Sequence, residues 1–265
     1  MSVPQLDEVP ERSAPGEIAA IYASLRAALG VPIVNLVFRH MATVDGCLPW
    51  AWGCLEPIYR GGAIHEAGAR MAMLAQQIGI SRGVNAGLRT EAIGDTLTAY
   101  IRANPINMMG LCILERLLDG RAAVDVMPPG GPARVKPITQ LLPLADLGSV
   151  PPRSLEKLTV LANMLHGPVG SVLVIPSLFR HFAAWPTALD TIDQSLHELI
   201  EAGTLDIVAR DMEAYGKRVA DRLEAKAPWP ADEATTACIR NLVGLFPANM
   251  TKMTVVAIAL RDVLT

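Results

Sequence analysis

Two short stretches of sequence recur, in the same order, in both halves of the chain. FRHMA at residues 38–42 returns as FRHFA at residues 179–183, an offset of 141 residues. PINM at residues 105–108 returns as PANM at residues 247–250, an offset of 142 residues. Paired words in a constant order indicate an internal duplication, which constrains the fold more than any single motif does. We therefore expect two similar halves packed against each other.

The segment between the two halves is rich in proline. Residues 127–153 contain seven prolines and a Gly-Gly pair. This composition disfavours helix and favours an extended connection. The sequence thus predicts an N-terminal extension at residues 1–16, a first repeat at residues 17–126, a linker at residues 127–153 and a second repeat at residues 154–265.

Apolar residues inside each half are spaced as in α-helices. Ile18, Ile21 and Leu25 show this period in the first half, and the leucines of residues 155–165 show it in the second. The alternation typical of a β-strand is confined to SVLVI at residues 171–175. We predict an all-α protein of two tandem helical repeats, related by a pseudo-two-fold axis, with the functional site at their interface.

The composition excludes several classes of protein. With 51% apolar and 18% charged residues, the chain is too apolar to be disordered. Its net charge of −3 gives no general attraction to nucleic acid or anionic lipid. No stretch reaches the ~18 uninterrupted apolar residues of a spanning helix, and the N-terminus is polar. We expect a cytoplasmic protein without nucleic-acid or membrane partners, with a homodimer as an open alternative.

The sequence contains none of the usual motifs for a cofactor or a metal. It has no Gly-rich phosphate loop, no G-x-S-x-G elbow and no H-E-x-x-H. The four cysteines are scattered without a C-x-x-C pair, which favours buried thiols over a zinc or redox site. We predict no cofactor and no resident metal.

Polar side chains in apolar surroundings are the candidate functional residues. The duplicated Arg-His pairs stand out, because a repeated pair near a pseudo-dyad converges on one place. If residues 32–42 and 176–185 are helical, His40 and His181 each face an apolar cavity between the repeats, with Arg39 and Arg180 about 100° away. The full set is Asn35, Arg39, His40, Asn104, Asn107, Ser177, Arg180, His181, Asp193, His197 and Asn249.

Three segments of the chain resemble the group I 2-haloacid dehalogenases. They are VPIVNLVFRHMATVDGCLPWAW at residues 31–52, IRANPINMMGLCIL at residues 101–114 and HGPVGSVLVIPSLFRHFAAWPTAL at residues 166–189. The resemblance extends from about residue 17 to the end. It implies an all-α pseudo-dimeric hydrolase without a cofactor. In that family an aspartate of the second repeat activates a water molecule, which displaces halide directly from C2 of a 2-halocarboxylate.

The resemblance also implies site residues by position, with one departure from the family. The water-activating aspartate falls at Leu178, the serine before it at Ser177, the asparagine that helps hold the water at Asn104, and an aromatic residue of the pocket at Ile33. A leucine cannot accept a proton, and residues 170–185 contain no acidic residue. General base catalysis supplies roughly 10²–10⁴-fold, so the chemistry would require a base elsewhere.

The sequence leaves three functions open. The first is hydrolytic substitution at C2 of a small carboxylic acid, with His181 as the relocated base and Arg39 or Arg180 holding the carboxylate. Here the catalytic residues are His181, Asn104 and His40, and the substrate-binding residues are Ser177, Arg39, Arg180, Leu178, Ile33 and Asn107.

The second function is a different reaction in the same pocket, with a metal held by His40 and His181. The third is non-catalytic binding of a small ligand, with methionines as adaptable pocket walls. Those methionines are Met108, Met109, Met250 and Met253. Asp193 and His197, at i and i+4, would be either an acid–base pair or an ordinary pair on a helix surface.

Overall fold

The regular structure of this chain is helical. The computed structural model describes residues 6–76, 90–166 and 174–264. In them, two isolated bridges, between residues 61 and 132 and between residues 127 and 223, are the only β-type pairing. The predicted all-α fold class is confirmed, while most of the SVLVI segment lies outside the described residues. The helices are α1 Gly16–Leu29, α2 Leu36–Met41, α3 Cys47–Tyr59, α4 Gly62–Met73, α5 Glu91–Leu118, α6 Pro152–His166, α7 Ser177–Arg180, α8 Pro186–Glu201, α9 Thr204–Ala220, α10 Glu233–Leu245 and α11 Pro247–Leu264.

The segments before α1 and before α6 are built alike. Each contains a one-turn 3-10 helix, Glu11–Ser13 in the first case and Leu147–Ser149 in the second. Each also contacts a histidine of the repeated word: Nδ1 of His40 lies 2.7 Å from the Asp7 carbonyl oxygen, and Nδ1 of His181 lies 2.6 Å from that of Leu142. The N-terminal extension and the end of the linker therefore occupy corresponding places. A two-fold axis between the halves stays a prediction.

The helices α2 and α7 are much shorter than the sequence suggested. Residues 32–42 and 176–185 were expected to be helical, but α2 begins only after Asn35, whose side-chain Oδ1 accepts from the Val37 N–H at 3.2 Å. Pro176 caps the four-residue α7. Asn35 and Pro176 thus determine where the two helices begin, and α7 ends already at Arg180. As a consequence Ile33 precedes α2 and does not share a helical face with His40.

The centre of the molecule is the contact between α5 and α11, the most extensive between any two of the described helices. Their inner residues, such as Met108, Met109, Val255 and Leu260, are fully buried. The two helices differ in the position of their prolines. Helix α5 continues through Pro105, whereas α11 begins at Pro247, where the chain bends by 43° between α10 and α11. Many of the apolar residues of the sequence are therefore buried where one half packs against the other.

The four cysteines are buried free thiols, as their spacing predicted. Among the described helices, none is by itself long and apolar enough to cross a bilayer, although the bent pair α10 and α11 reaches that length together.

Candidate functional site

A cavity of about 50 Å³ lies where the two halves meet. It is large enough for a few water molecules or a small organic molecule, since one water needs roughly 10–15 Å³ by this measure. Residues from both halves line it, and most of them are apolar. The lining residues are Asn35, Leu36, Tyr100, Asn104, Val174, Pro176, Ser177, Leu178, Phe246, Asn249, Met250 and Met253.

Two amides form one polar side of this cavity. Asn35 donates from Nδ2 to Oδ1 of Asn104 at 3.1 Å, and its own oxygen is held by the cap of α2. These two bonds fix both amide orientations. The Nδ2 group of Asn104, in a side chain only 3% exposed, then has no protein acceptor among the described residues. Within the described residues, the wall thus presents an oriented N–H donor of Asn104 that has no acceptor there.

Two hydroxyls form the other polar side and lead to a buried imidazole. Tyr100, one turn before Asn104 on α5, has its Oη 3.1 Å from Nε2 of His181. Ser177 lines the cavity beside Tyr100, and its Oγ accepts from Nη2 of Arg39 at 3.3 Å. A carbonyl oxygen only accepts, so Nδ1 of His181 carries the proton shared with Leu142. Nε2 therefore accepts a hydrogen bond from the Tyr100 hydroxyl. This bond connects the cavity wall to the basic nitrogen of the imidazole.

Burial determines the charge state of this chain of groups. It lowers the pKa of His181 to about 4; nearby Arg180 and Arg39 act in the same direction, and the carbonyl contacts at residues 142 and 143 oppose it. Burial also raises the pKa of Tyr100 above its usual range. Both groups are thus neutral at pH 7. No Asp or Glu is among the residues lining the cavity, and Leu178 is fully buried in its wall.

A second and larger opening lies on the other side of His181. This cleft of about 410 Å³ is lined by His181 and Ile33 and by charged side chains of both signs, which are Arg12, Arg39, Arg180, Glu8, Glu11 and Asp146. The Glu8 carboxylate contacts both guanidinium groups, Oε2 lying 3.1 Å from Nη1 of Arg39 and Oε1 lying 3.5 Å from Nη1 of Arg180. One arginine from each half therefore meets a carboxylate of the N-terminal segment.

The structure brings some of the predicted site residues together and separates others. Asn104, Ser177 and Leu178 line the cavity, and His181 is one hydrogen bond behind it. Ile33 lies in a small connecting void of about 20 Å³, beside Asn35 and Ser177. Arg39 and Arg180 lie in the cleft.

Two predicted placements were wrong. His40 does not face a shared cavity with His181: it is half-buried, its ring turned to the Asp7 carbonyl oxygen. Asn107 is fully buried against α3, where its Oδ1 accepts from the Tyr59 hydroxyl at 3.2 Å. The reasons are local: His40 lies in the last turn of α2, where its ring contacts the N-terminal segment, and Asn107, about 60° from Asn104 around α5, turns to Tyr59 of α3.

The remaining candidates also fall in different places. Met250 and Met253 line the cavity, whereas Met108 and Met109 belong to the core. Asp193 and His197 are a pair on the surface of α8, 3.3 Å apart. Among the residues that the structure describes, no three His, Cys, Asp or Glu side chains are grouped so that they could hold a metal ion.

Sequence reasoning missed two important residues. Tyr100 was absent from the polar set, although it precedes Asn104 by four residues and so shares its helical face. Glu8 lies in a polar, proline-containing segment before α1, where no periodic pattern marks it as part of a site. Asn35 and Asn249 were in the polar set but had no assigned role, and both line the cavity.

Comparisons with solved structures define the class of fold. A D-2-haloacid dehalogenase mutant in complex with D-2-CPA superposes with a TM-score of 0.82 at 18% sequence identity. A second D-2-haloacid dehalogenase mutant gives 0.85 at 17% identity, and a complex with L-LA gives 0.83 at 18%. Each match covers 100% of this chain and 99% of the other. The chain therefore has the fold of the D-2-haloacid dehalogenases, which confirms at the level of the fold the resemblance found in the sequence.

Comparisons of sequence alone do not find a related protein. No protein-family model matches the chain, and no curated protein sequence matches it.

Proposed function

We propose that this chain is a small-molecule hydrolase that replaces the C2 substituent of a small carboxylic acid by water, in the cavity between its two halves. Two findings support the proposal: the fold is that of D-2-haloacid dehalogenases, and the cavity holds oriented polar groups in an apolar wall. The observation that carries it is the hydrogen bond between Tyr100 and His181, which connects the cavity to a base.

The binding groups follow from the cavity wall. In this proposal the free N–H of Asn104 orients the attacking water, as the resemblance implies for that position. The Ser177 hydroxyl, polarised by the Arg39 guanidinium at 3.3 Å, turns its proton to the substrate carboxylate. The Tyr100 oxygen, which also lines the cavity, then accepts a hydrogen bond from the water.

His181 then acts as the base through Tyr100. Water gives a proton to Tyr100 Oη as Tyr100 gives its own proton to His181 Nε2. The water oxygen forms a bond to C2, and the leaving group departs with the electrons of its bond. A pKa of about 4 gives His181 the base strength of an ordinary aspartate, whose reference pKa is about 3.9. The imidazole would thus replace the missing carboxylate without a change in basicity.

Halide release tests this proposal directly. The chain is incubated with D- and L-2-chloropropionate, and chloride is measured for the unchanged protein, His181→Gln and His65→Gln. His65 is the matched control, because it is also partly buried and bonded to a backbone carbonyl, that of Tyr59. We expect His181→Gln to lower kcat about 10²-fold or more and His65→Gln to leave it unchanged.

The pH profile gives a second criterion. Since the base must be unprotonated, kcat/KM is expected to rise as pH increases through about 4 and then to level off. Absence of chloride release above buffer, or equal rates for the unchanged protein and His181→Gln, would contradict the hydrolase.

One observation favours a second candidate, a binding protein without catalysis. Leu178 is fully buried where the resemblance places the base, and Phe246, Met250 and Met253 make an adaptable apolar wall. In that case 2-chloropropionate would raise the Tm without releasing chloride. A ligand present at 100 times its Kd adds about 2.7 kcal/mol, which a thermal-shift titration detects.

A further inference from the structure

The arginines of the two repeated words share one carboxylate, that of Glu8. Its two oxygens reach one guanidinium from each half, at 3.1 Å and 3.5 Å. Guanidinium groups bind carboxylates through their fork of N–H donors. The molecule therefore contains an arginine pair arranged for a carboxylate and supplies that carboxylate from its own N-terminal segment.

The arginine pair is built into the protein rather than displayed on its surface. The Arg39 side chain is only 4% exposed, and that of Arg180 is 11% exposed. The buried Nε of Arg39 has no hydrogen-bond partner, so Glu8 does not satisfy all of its donors. Burying an incompletely paired cation is costly. An anion that bonded the remaining N–H donor of Arg39 would therefore gain binding free energy.

The space around Glu8 exceeds what its side chain fills. The cleft measures about 410 Å³ and opens to solvent at the exposed Arg12. The N-terminal segment is held in place by bonds that do not involve the Glu8 side chain. The Val9 N–H donates to the Arg39 carbonyl oxygen at 3.0 Å, and Tyr22 Oη donates to the Val9 carbonyl oxygen at 2.9 Å. The Glu8 side chain can thus leave the arginines while the segment stays in place.

We propose that Arg39 and Arg180 form a binding site for a small free carboxylate in this cleft, and that Glu8 is an intramolecular ligand competing for it. The site is distinct from the inter-repeat cavity, because Arg180 does not line that cavity. A tethered competitor acts at an effective concentration of roughly millimolar or above. The unchanged protein should therefore bind carboxylates weakly, and removal of the Glu8 carboxylate should strengthen the binding.

Calorimetric titration with sodium acetate tests the competition. Acetate has no C2 substituent to displace, so the outcome is independent of the proposed hydrolysis. The variants are Glu8→Gln, the double variant Glu8→Gln with Arg180→Gln, and Glu17→Gln. Glu17 is the matched control, since it is an exposed glutamate at the start of α1 with the same change of charge.

We expect Glu8→Gln to bind acetate at least tenfold more tightly than the unchanged protein, Glu17→Gln to bind as the unchanged protein does, and the double variant to lose the gain. Glu8→Ala serves as a second variant with the same expectation, should Glu8→Gln fail to fold by circular dichroism. Equal affinity in the Glu8 variants and the Glu17 control would overturn the site. A gain that persists in the double variant would place the acetate elsewhere and overturn it as well.

Discussion

The two Phe-Arg-His words have the same sequence but different surroundings. His181 is 3% exposed and has both ring nitrogens in hydrogen bonds, to Leu142 and to Tyr100. His40 is half-buried, and its Nδ1 lies 2.7 Å from the Asp7 carbonyl oxygen. Each ring is thus fixed through Nδ1 by the segment that precedes its own half. The difference lies at the second nitrogen, where a tyrosine of α5 reaches only His181.

The same short sequence word therefore does not produce the same site in both halves. By the offset of 142, the position corresponding to Tyr100 is Leu242, which has no hydroxyl to offer. Likewise Asn104 corresponds to Phe246, an apolar wall of the cavity. One half thus supplies the polar groups of α5 and the other supplies the imidazole and the apolar wall. The cavity therefore depends on residues of both halves.

The largest expected effect is a difference between the two arginines in the unfolding free energy that is lost when each is replaced. Arg39→Met removes a nearly buried cation that bonds both Glu8 and Ser177, and loss of one partner of a buried pair costs roughly 3–5 kcal/mol. Arg180→Met leaves Glu8 paired with Arg39, removes the contact with Glu8 and the bond from Nε to the Ala145 carbonyl oxygen, and should cost about 2 kcal/mol, as for two ordinary hydrogen bonds. Urea unfolding of both variants measures the two losses. Equal losses would mean that the two words are energetically equivalent.

The second effect separates the two histidines by pH. The folded pKa of His181, about 4, is below its unfolded value of about 6.5. The unfolded chain therefore binds more protons, and stability is present above pH 6.5 and lost as pH falls towards 4. Between pH 7 and pH 5 the loss is about 2 kcal/mol. His181→Gln should remove this part of the pH dependence, and His40→Gln should retain it, as urea unfolding at each pH would reveal. The comparison fails if both variants respond alike.

The smallest effect concerns the hydroxyl that distinguishes the two sites. Tyr100→Phe deletes the group between the cavity and His181 and should cost about 1 kcal/mol of unfolding free energy. It should also remove chloride release to the extent that His181→Gln does. Tyr22→Phe, which loses the bond to the Val9 carbonyl oxygen, is the matched control and should keep its activity. Full activity in Tyr100→Phe would show that the base is reached by another route.

The fold was predictable because it depends on patterns that are local or repeated. Apolar spacing predicted the helices, which is confirmed, whereas the two matching halves that the repeated words predict stay a prediction. The lengths of α2 and α7 were not predictable from spacing, since α2 begins only after the cap at Asn35 and α7 ends at Arg180, although the apolar period extends beyond these limits. Likewise, nothing in the two Pro-x-Asn words distinguishes a helix that continues through Pro105 from one that breaks before Pro247.

The site was only partly predictable because it is made of long-range contacts. Asn104, Ser177 and Leu178 followed from the resemblance, and His181 from the duplicated word. The bond between Tyr100 and His181 joins residues 81 positions apart, and no local pattern marks such a pair. Glu8 lies in a segment whose sequence resembles an ordinary polar terminus, and its role depends on two arginines more than 30 and 170 residues away.

The packing of α5 on α11 has a consequence for how the chain unfolds. These helices come from different halves, yet they make the broadest contact between described helices, so each half would lose much of its core if it stood alone. Two repeats of this kind do not behave as two domains with separate stabilities. We expect one cooperative transition for the whole chain, in which a destabilising change in either half lowers the stability of both equally.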